Sequence, residues 1–272
     1  DHRDLHSFPT RRSSDLTDGG NTWIARPELS FDTQKAVGSS FTFDVTTDSH
    51  VNIVLGDSST WEDTLNDVLE DEPDFLIDLG DTFDIRSLSE GDVSGAENSY
   101  KFQLPLFNTV SGSTSIFLSP GNHEQQEKWH EDVGANSLNV IGVNAQKKYF
   151  LNPVPDGVFY TGDESQDQYL NEYNDPADAI TGGLKQDYYS WEWGDALFVV
   201  INPYWYTTTK PYVSDLGGGE TGWTGSGDAW DWTLGKDQYD WLVETLENSD
   251  ASYKFIFSHQ LLTDASLPGQ ED

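Results

Sequence analysis

Phe75-Leu76-Ile77-Asp78-Leu79-Gly80-Asp81-Thr82-Phe83-Asp84 is a short apolar run that breaks abruptly into glycine and carboxylates. It reads as a buried strand whose polar groups are delivered together at its C-terminal end. Upstream, Phe41, Phe43 and Val45 alternate with Thr42, Asp44 and Thr46, a period of two that predicts a strand ending at Asp48-Ser49-His50. Trp61, Leu65, Val68 and Leu69 then fall at helical spacing and predict a helix over 61–71. Downstream, residues 100–110 form another predicted helix, interrupted by Pro105. Ser115-Ile116-Phe117-Leu118 follows as a third strand, ending in Ser119-Pro120-Gly121-Asn122-His123-Glu124. The order β-α-β-α-β favours parallel strands with right-handed crossovers, which sets three polar clusters along one sheet edge.

The rest of the chain is less regular. Residues 125–183 carry few periodic signals and read as loops with some short helices. Residues 188–193 and 196–201, separated by Gly194-Asp195, predict a hairpin that begins a second sheet. Residues 204–232, rich in Gly, Thr and Trp, read as a long surface insertion able to cover a cleft; core packing explains Tyr204, Trp205 and Tyr206 as readily as substrate contact does. Tyr239, Leu242, Val243 and Leu246 predict a helix over 238–246, and Lys254-Phe255-Ile256-Phe257 a strand ending at Ser258-His259. A strand with a polar end thus recurs a fourth time.

The composition narrows the function classes. Fourteen Lys and Arg against 48 Asp and Glu give a net charge of −34, which disfavours nucleic-acid binding through a basic surface. Aromatic residues at 13%, with ten Trp, argue for a folded domain rather than an acidic disordered tail. No apolar stretch is long enough to span a bilayer as a helix. With no cysteine in the sequence, any metal must be held by His, Asn, Asp or Glu. Residues 1–16 resemble the conceptual translation of a sequencing adapter and are set apart from the fold. Residues 17–40 form an N-terminal extension in which Asp18-Gly19-Gly20-Asn21-Thr22-Trp23 resembles a structural Asp-box turn. The domain proper is expected over 41–272.

Of the six histidines, two lie within residues 1–16. His50, His123 and His259 each directly follow a predicted strand, beside Ser, Asn or Asp, whereas His130 reads as a surface residue. Three histidines so placed in a chain without cysteine point to a shared metal or catalytic site. Asp48-x-His50, Gly80-Asp81-x-x-Asp84, Gly121-Asn122-His123-Glu124 and Ser258-His259, in this order, resemble successive motifs of the calcineurin-like metallophosphoesterases.

The resemblance implies an α/β fold, a two-sheet β-sandwich flanked by helices, that hydrolyses phosphate esters with two divalent cations (Mn, Fe, Zn or Co). Two such cations neutralise the anionic ester and acidify the attacking water. By the same resemblance, Asp48 and His50 bind one cation, Asp81 bridges both, and Asn122 and His259 bind the second. His123 is the implied acid for the leaving oxygen, and Asp84 the carboxylate that orients it. Arg86, one of two arginines beyond residue 16, is placed to grip a substrate phosphate. Asp84 stands where purple acid phosphatases carry a metal-binding tyrosine, which disfavours that coloured subtype. The family's last motif, Gly-His-x-His, does not follow His259, so the domain is expected to be C-terminally truncated and a poor metal binder as it stands.

The expected partner is a phosphomonoester, phosphodiester or nucleotide. A non-catalytic secreted binding or surface module on the same scaffold is the alternative, and a propeller built on Asp boxes would need further copies. Surface loops rich in Asp, Gly, Thr and Trp lean towards export. So large an excess of carboxylates points to a saline environment, because salt screens charges separated by more than about 8–10 Å. Stability, followed by thermal denaturation, is therefore expected to rise with molar salt; a maximum at low salt would contradict that reading.

Overall fold

A computed structural model describes residues 14–16, 23–25, 30–51, 56–125, 134–150, 152, 188–204 and 234–260 of the 272-residue chain. The Asp18–Thr22 part of the Asp-box-like turn, His130, Trp205, Tyr206 and nearly all of the 204–232 insertion lie outside them. A short antiparallel pair, β1 (Ser14–Leu16) and β2 (Trp23–Ala25), precedes the two main sheets.

The first sheet is wholly parallel, in the order β3 (Phe43–Thr46), β4 (Phe75–Asp78), β5 (Ser115–Leu118). In register, Thr46 lies opposite Asp78, and Asp78 opposite Leu118, so the three C-terminal ends are level. Helix α1 (Ser58–Asp71) returns the chain from β3 to β4, and α2 (Val93–Phe107) from β4 to β5. The Asp57 carboxylate accepts from the Ser59 and Thr60 amides at the start of α1, as an N-cap does. Trp61, Leu65 and Val68 of α1 are buried as their spacing predicts, but Leu69 is 39% exposed. Helix α2 begins seven residues before the predicted start, and Pro105 sits in its last turn without ending it.

The second sheet has the order β6 (Tyr189–Trp193), β7 (Ala196–Val200), β8 (Tyr253–Phe257). Strands β6 and β7 form the predicted hairpin, with Gly194 at φ 60° in its turn, and β8 runs parallel to β7. Between the sheets lies an aromatic core: Phe75 meets Phe198 edge-on at 5.0 Å between centroids, Trp193 at 5.3 Å and Trp191 at 5.7 Å. Each large apolar side chain withdrawn from water there contributes roughly 1.5–3 kcal/mol. The outer face of the first sheet packs Leu76 and Leu118 against α1, α2 and a further helix over residues 138–149. The outer face of the second packs Leu197, Val199 and Ile201 against Trp241 of α5 (Lys236–Asn248).

Two elements differ from expectation. In α5 the buried residues are Gln238 and Trp241, while Tyr239 is 58% exposed. A polar residue faces inward because the Gln238 side chain accepts from the Asn202 amide and donates to the Asn202 carbonyl, both at 2.8 Å, extending the end of β7. The stretch read as irregular contains α4 (Leu138–Tyr149), preceded by the short α3 (Asn122–Gln125). Nine of the twelve α4 residues are buried, including Asn139, Gln146 and Lys147, so no apolar stripe marks the helix in sequence. Glu97 of α2 clamps α4, accepting from Lys148 Nζ at 2.6 Å and Tyr149 OH at 2.9 Å. The Lys148 bond leads the interactions that hold its carboxyl down at about 2.

Gly142 lets α4 press against α3. A Cβ there would lie 2.2 Å from the Glu124 carbonyl oxygen and 2.6 Å from Ile85 Cδ1. Intrinsic helix propensity favours alanine over glycine by about 1 kcal/mol. Gly142→Ala is nevertheless expected to destabilise the protein by roughly 1–3 kcal/mol, the usual penalty of overpacking, in urea denaturation. A stabilised variant would mean that the approach of the two helices is not tight.

Candidate metal centre

Backbone bonding continues past the strand ends and gathers their loops. Leu79 N–H donates to Thr46 O at 2.8 Å, Asp48 N–H to Gly80 O at 2.9 Å, His50 N–H to Asp81 O at 3.1 Å and Ser119 N–H to Asp78 O at 2.8 Å. The loops must turn sharply to do so. Asp48, His50 and Asp81 are held at φ 57°, 46° and 56°, and the other described non-glycine residue at positive φ is Glu72, the C-cap of α1. Left-handed backbone is disfavoured for residues with a Cβ, and it persists where surrounding contacts over-determine it. Gly80, at φ 102°, has no room for a side chain: its Cβ would fall 2.3 Å from the Gly121 nitrogen.

The strongest of those contacts is Glu124, which is 2% exposed. Its Oε1 accepts from Thr82 N–H at 2.6 Å and Phe83 N–H at 2.9 Å, and its Oε2 from Asp81 N–H at 2.9 Å and Gly121 N–H at 2.8 Å. One carboxylate therefore binds the Asp81 loop to the Asn122 loop. Burial and the charge of Asp81 push its pKa up to about 7. The four N–H donors oppose that shift and fill its acceptor positions, so the ionised form is the one this geometry holds. Helix α2 supports the same loop: Gln103 Nε2 donates to Thr82 O at 2.7 Å and Ser99 Oγ to Asp84 O at 2.9 Å.

On this frame the side chains converge on Asp81. Its Oδ2 lies 3.4 Å from His259 Nε2, 3.6 Å from His123 Nδ1 and 3.8 Å from His50 Nε2, while its Oδ1 accepts from His123 N–H at 2.9 Å. His50 Nε2 is also 3.3 Å from Asp48 Oδ1. His259 Nδ1 is 3.1 Å from the Leu79 carbonyl, a contact that places the proton on Nδ1 and leaves Nε2 to face Asp81. His123 Nδ1 is 3.5 Å from Asp84 Oδ2, and Arg86 Nη2 is 3.6 Å from the same oxygen. The Arg86 side chain is half exposed, and Asn122 is the first residue of α3, directly before His123.

Asp48, His50, Asp81, His123 and His259 are thus brought to one place, with Asp84 against His123 and Arg86 against Asp84. Ligand atoms of His50, Asp81 and His123, and of Asp48, Asp81 and His259, lie within 4.8 Å of one another in each group. Several separations are longer than hydrogen bonds, and His50 Nδ1 and His123 Nδ1 are buried without a hydrogen-bond partner among the described residues. Imidazole and carboxylate donors so arranged fit a borderline divalent cation. For His259, burial works to lower the pKa, but the contact with Asp81 outweighs it and lifts the value to about 9. His123 is raised in the same way by Asp84 and Asp81. Burial pushes Asp81 upward, and the two histidines together carry it below its ordinary value.

Sequence reading assigned no role to Glu124, although it closes the Gly-Asn-His-Glu run three residues after Gly121. Glu124→Gln presents an NH₂ group to at least one pair of those amides. It is expected to lower stability by at least about 2 kcal/mol, because buried unpaired donors cost about 1–3 kcal/mol each. An unchanged urea midpoint would remove Glu124 from this role.

No curated protein matches the chain. Among solved structures, a purple acid phosphatase isolated from yellow lupin (Lupinus luteus) seeds shares the fold, with 15% identity and a TM-score of 0.50. The match covers 89% of this chain and 34% of that one, so the chain spans about a third of that enzyme's length. A profile of the calcineurin-like phosphoesterases matches residues 41–270. That span takes in both sheets and all four motif-bearing strand ends, and the chain belongs to the calcineurin-like phosphoesterase family.

Proposed function

We propose that the chain carries the catalytic site of a dinuclear metal-dependent phosphoesterase. The observation that supports this is the approach of three imidazoles to a single carboxylate oxygen, Asp81 Oδ2. Asp48 and His50 would hold one divalent cation, Asn122 and His259 the other, and Asp81 would bridge the pair. Bound there, Mn, Fe, Zn or Co would neutralise the ester's charge and acidify an attacking water.

The remaining chemistry belongs to side chains. Asp84, 3.5 Å from His123 Nδ1, stabilises the imidazolium and leaves Nε2 to hand a proton to the leaving oxygen. Against burial, Asp84 and Asp81 raise the pKa of His123, which favours the protonated form an acid needs. The half-exposed Arg86 guanidinium, fixed on Asp84, offers a positive contact to substrate phosphate. The substrate is a phosphomonoester, a phosphodiester or a nucleotide, a choice made by loops around the shared site.

Hydrolysis of nitrophenyl phosphate and bis-nitrophenyl phosphate with added Mn or Zn is the direct measurement. Asp81→Ala and His123→Ala are each expected to reduce kcat/KM by 100-fold or more, the usual range for a lost acid or base. Activity retained in both variants would refute the proposed site.

A further inference from the structure

Asp78 has no surface in contact with solvent and lies at the C-terminal end of β4, after the equally buried Phe75, Leu76 and Ile77. An apolar side chain would suit that place better, since burying a carboxylate is unfavourable unless it is well paired. Burial pushes its pKa up to about 6, a shift that the Thr46 hydroxyl and the Gly80 N–H oppose. Two contacts explain what it holds. Oδ2 accepts from Thr46 Oγ1 at 2.9 Å, and Oδ1 from Gly80 N–H at 3.2 Å. Thr46 ends β3 two residues before Asp48, and Gly80 directly precedes Asp81. Between them lies Leu79, whose carbonyl is the contact of His259 Nδ1.

We propose that Asp78 is a positioning residue for the metal centre, its carboxylate tying the end of β3 to the Gly80 turn and so setting the separation of Asp48, Asp81 and His259. The inference rests on the metal-binding reading above. Asparagine can reproduce both bonds, accepting from Gly80 through its carbonyl and donating to the Thr46 hydroxyl. Valine fits a buried strand but makes neither.

The test is calorimetric titration of the full chain with Zn²⁺, alongside thermal denaturation. Asp78→Val is expected to bind Zn²⁺ 10- to 100-fold more weakly, the usual effect of losing a group that orients ligands, with a melting temperature unchanged or higher. Asp78→Asn should bind within about threefold of wild type, since it keeps both bonds. Thr46→Val removes one bond from the opposite side, and a weakening of roughly threefold or more is expected whether or not Asp78→Val folds. Wild-type affinity in Asp78→Val or Thr46→Val, or an equal loss in Asp78→Asn and Asp78→Val, overturns the inference. Because the chain is expected to bind metal weakly, the titration is carried to millimolar Zn²⁺; a wild-type chain that takes up none even there overturns the metal-binding reading itself.

Discussion

Four backbone N–H groups from two loops end on the carboxylate of Glu124. Neither loop has a regular partner of its own at that point, so their amides would otherwise be buried unpaired. A single side chain with four acceptor positions satisfies all of them. It also fixes the distance between the turn that carries Asp81 and the turn that carries Asn122 and His123. The contact is too close for side chains in between: a Cβ on Gly121 would stand 2.2 Å from Asp81 Oδ1 and 2.6 Å from Glu124 Oε2. Gly80, Gly121 and Glu124 therefore form one construction, and the side chains that meet at Asp81 take their positions from it.

Why the strain is tolerated follows from the same construction. Asp48, His50 and Asp81 sit in a backbone region that L-residues avoid, at positions where glycine would be relaxed but could offer no ligand. Parallel strands of equal length bring their loops level, and amide bonds from Asp48 to Gly80 and from His50 to Asp81 then hold each turn against its neighbour. The aromatic layer between the sheets makes the base of those turns stiff, and Tyr189 adds a polar tie, donating to Leu118 O at 2.8 Å just before the Asn122 loop begins. Stability stored in packing thus maintains a local geometry that is unfavourable by itself.

Much of this architecture is legible in sequence because it rests on periodicity and on polar strand ends. Strand β4 is buried from Phe75 to Asp78, and both the hairpin and the parallel order follow from spacing and punctuation. What escapes is where burial and polarity part company. Helix α4 is covered nearly all round and contains Gly142, so neither an apolar stripe nor propensity announces it. Gln238 lies inward because it bonds the Asn202 backbone, which turns α5 by one position relative to its apolar pattern. Glu124 escapes for a related reason: in a chain with 48 acidic residues, nothing in a sequence distinguishes one that binds amides from one that faces water.

That surplus of acid also clarifies the site. Among the described residues, carboxylates at Asp81 meet imidazoles instead of lysine or arginine, and the only guanidinium nearby, that of Arg86, is engaged by Asp84. Positive charge at the cluster is therefore titratable, carried by His259 and His123, whose protonated forms the carboxylates favour. An imidazole can exchange a proton for a metal ion, whereas a fixed cation could only repel one. Among the described residues, the absence of lysine at the convergence point is thus as informative as the presence of histidine. A surface at −34 leaves this balance to be struck locally, within the few ångströms over which contact charges outweigh screened distant ones.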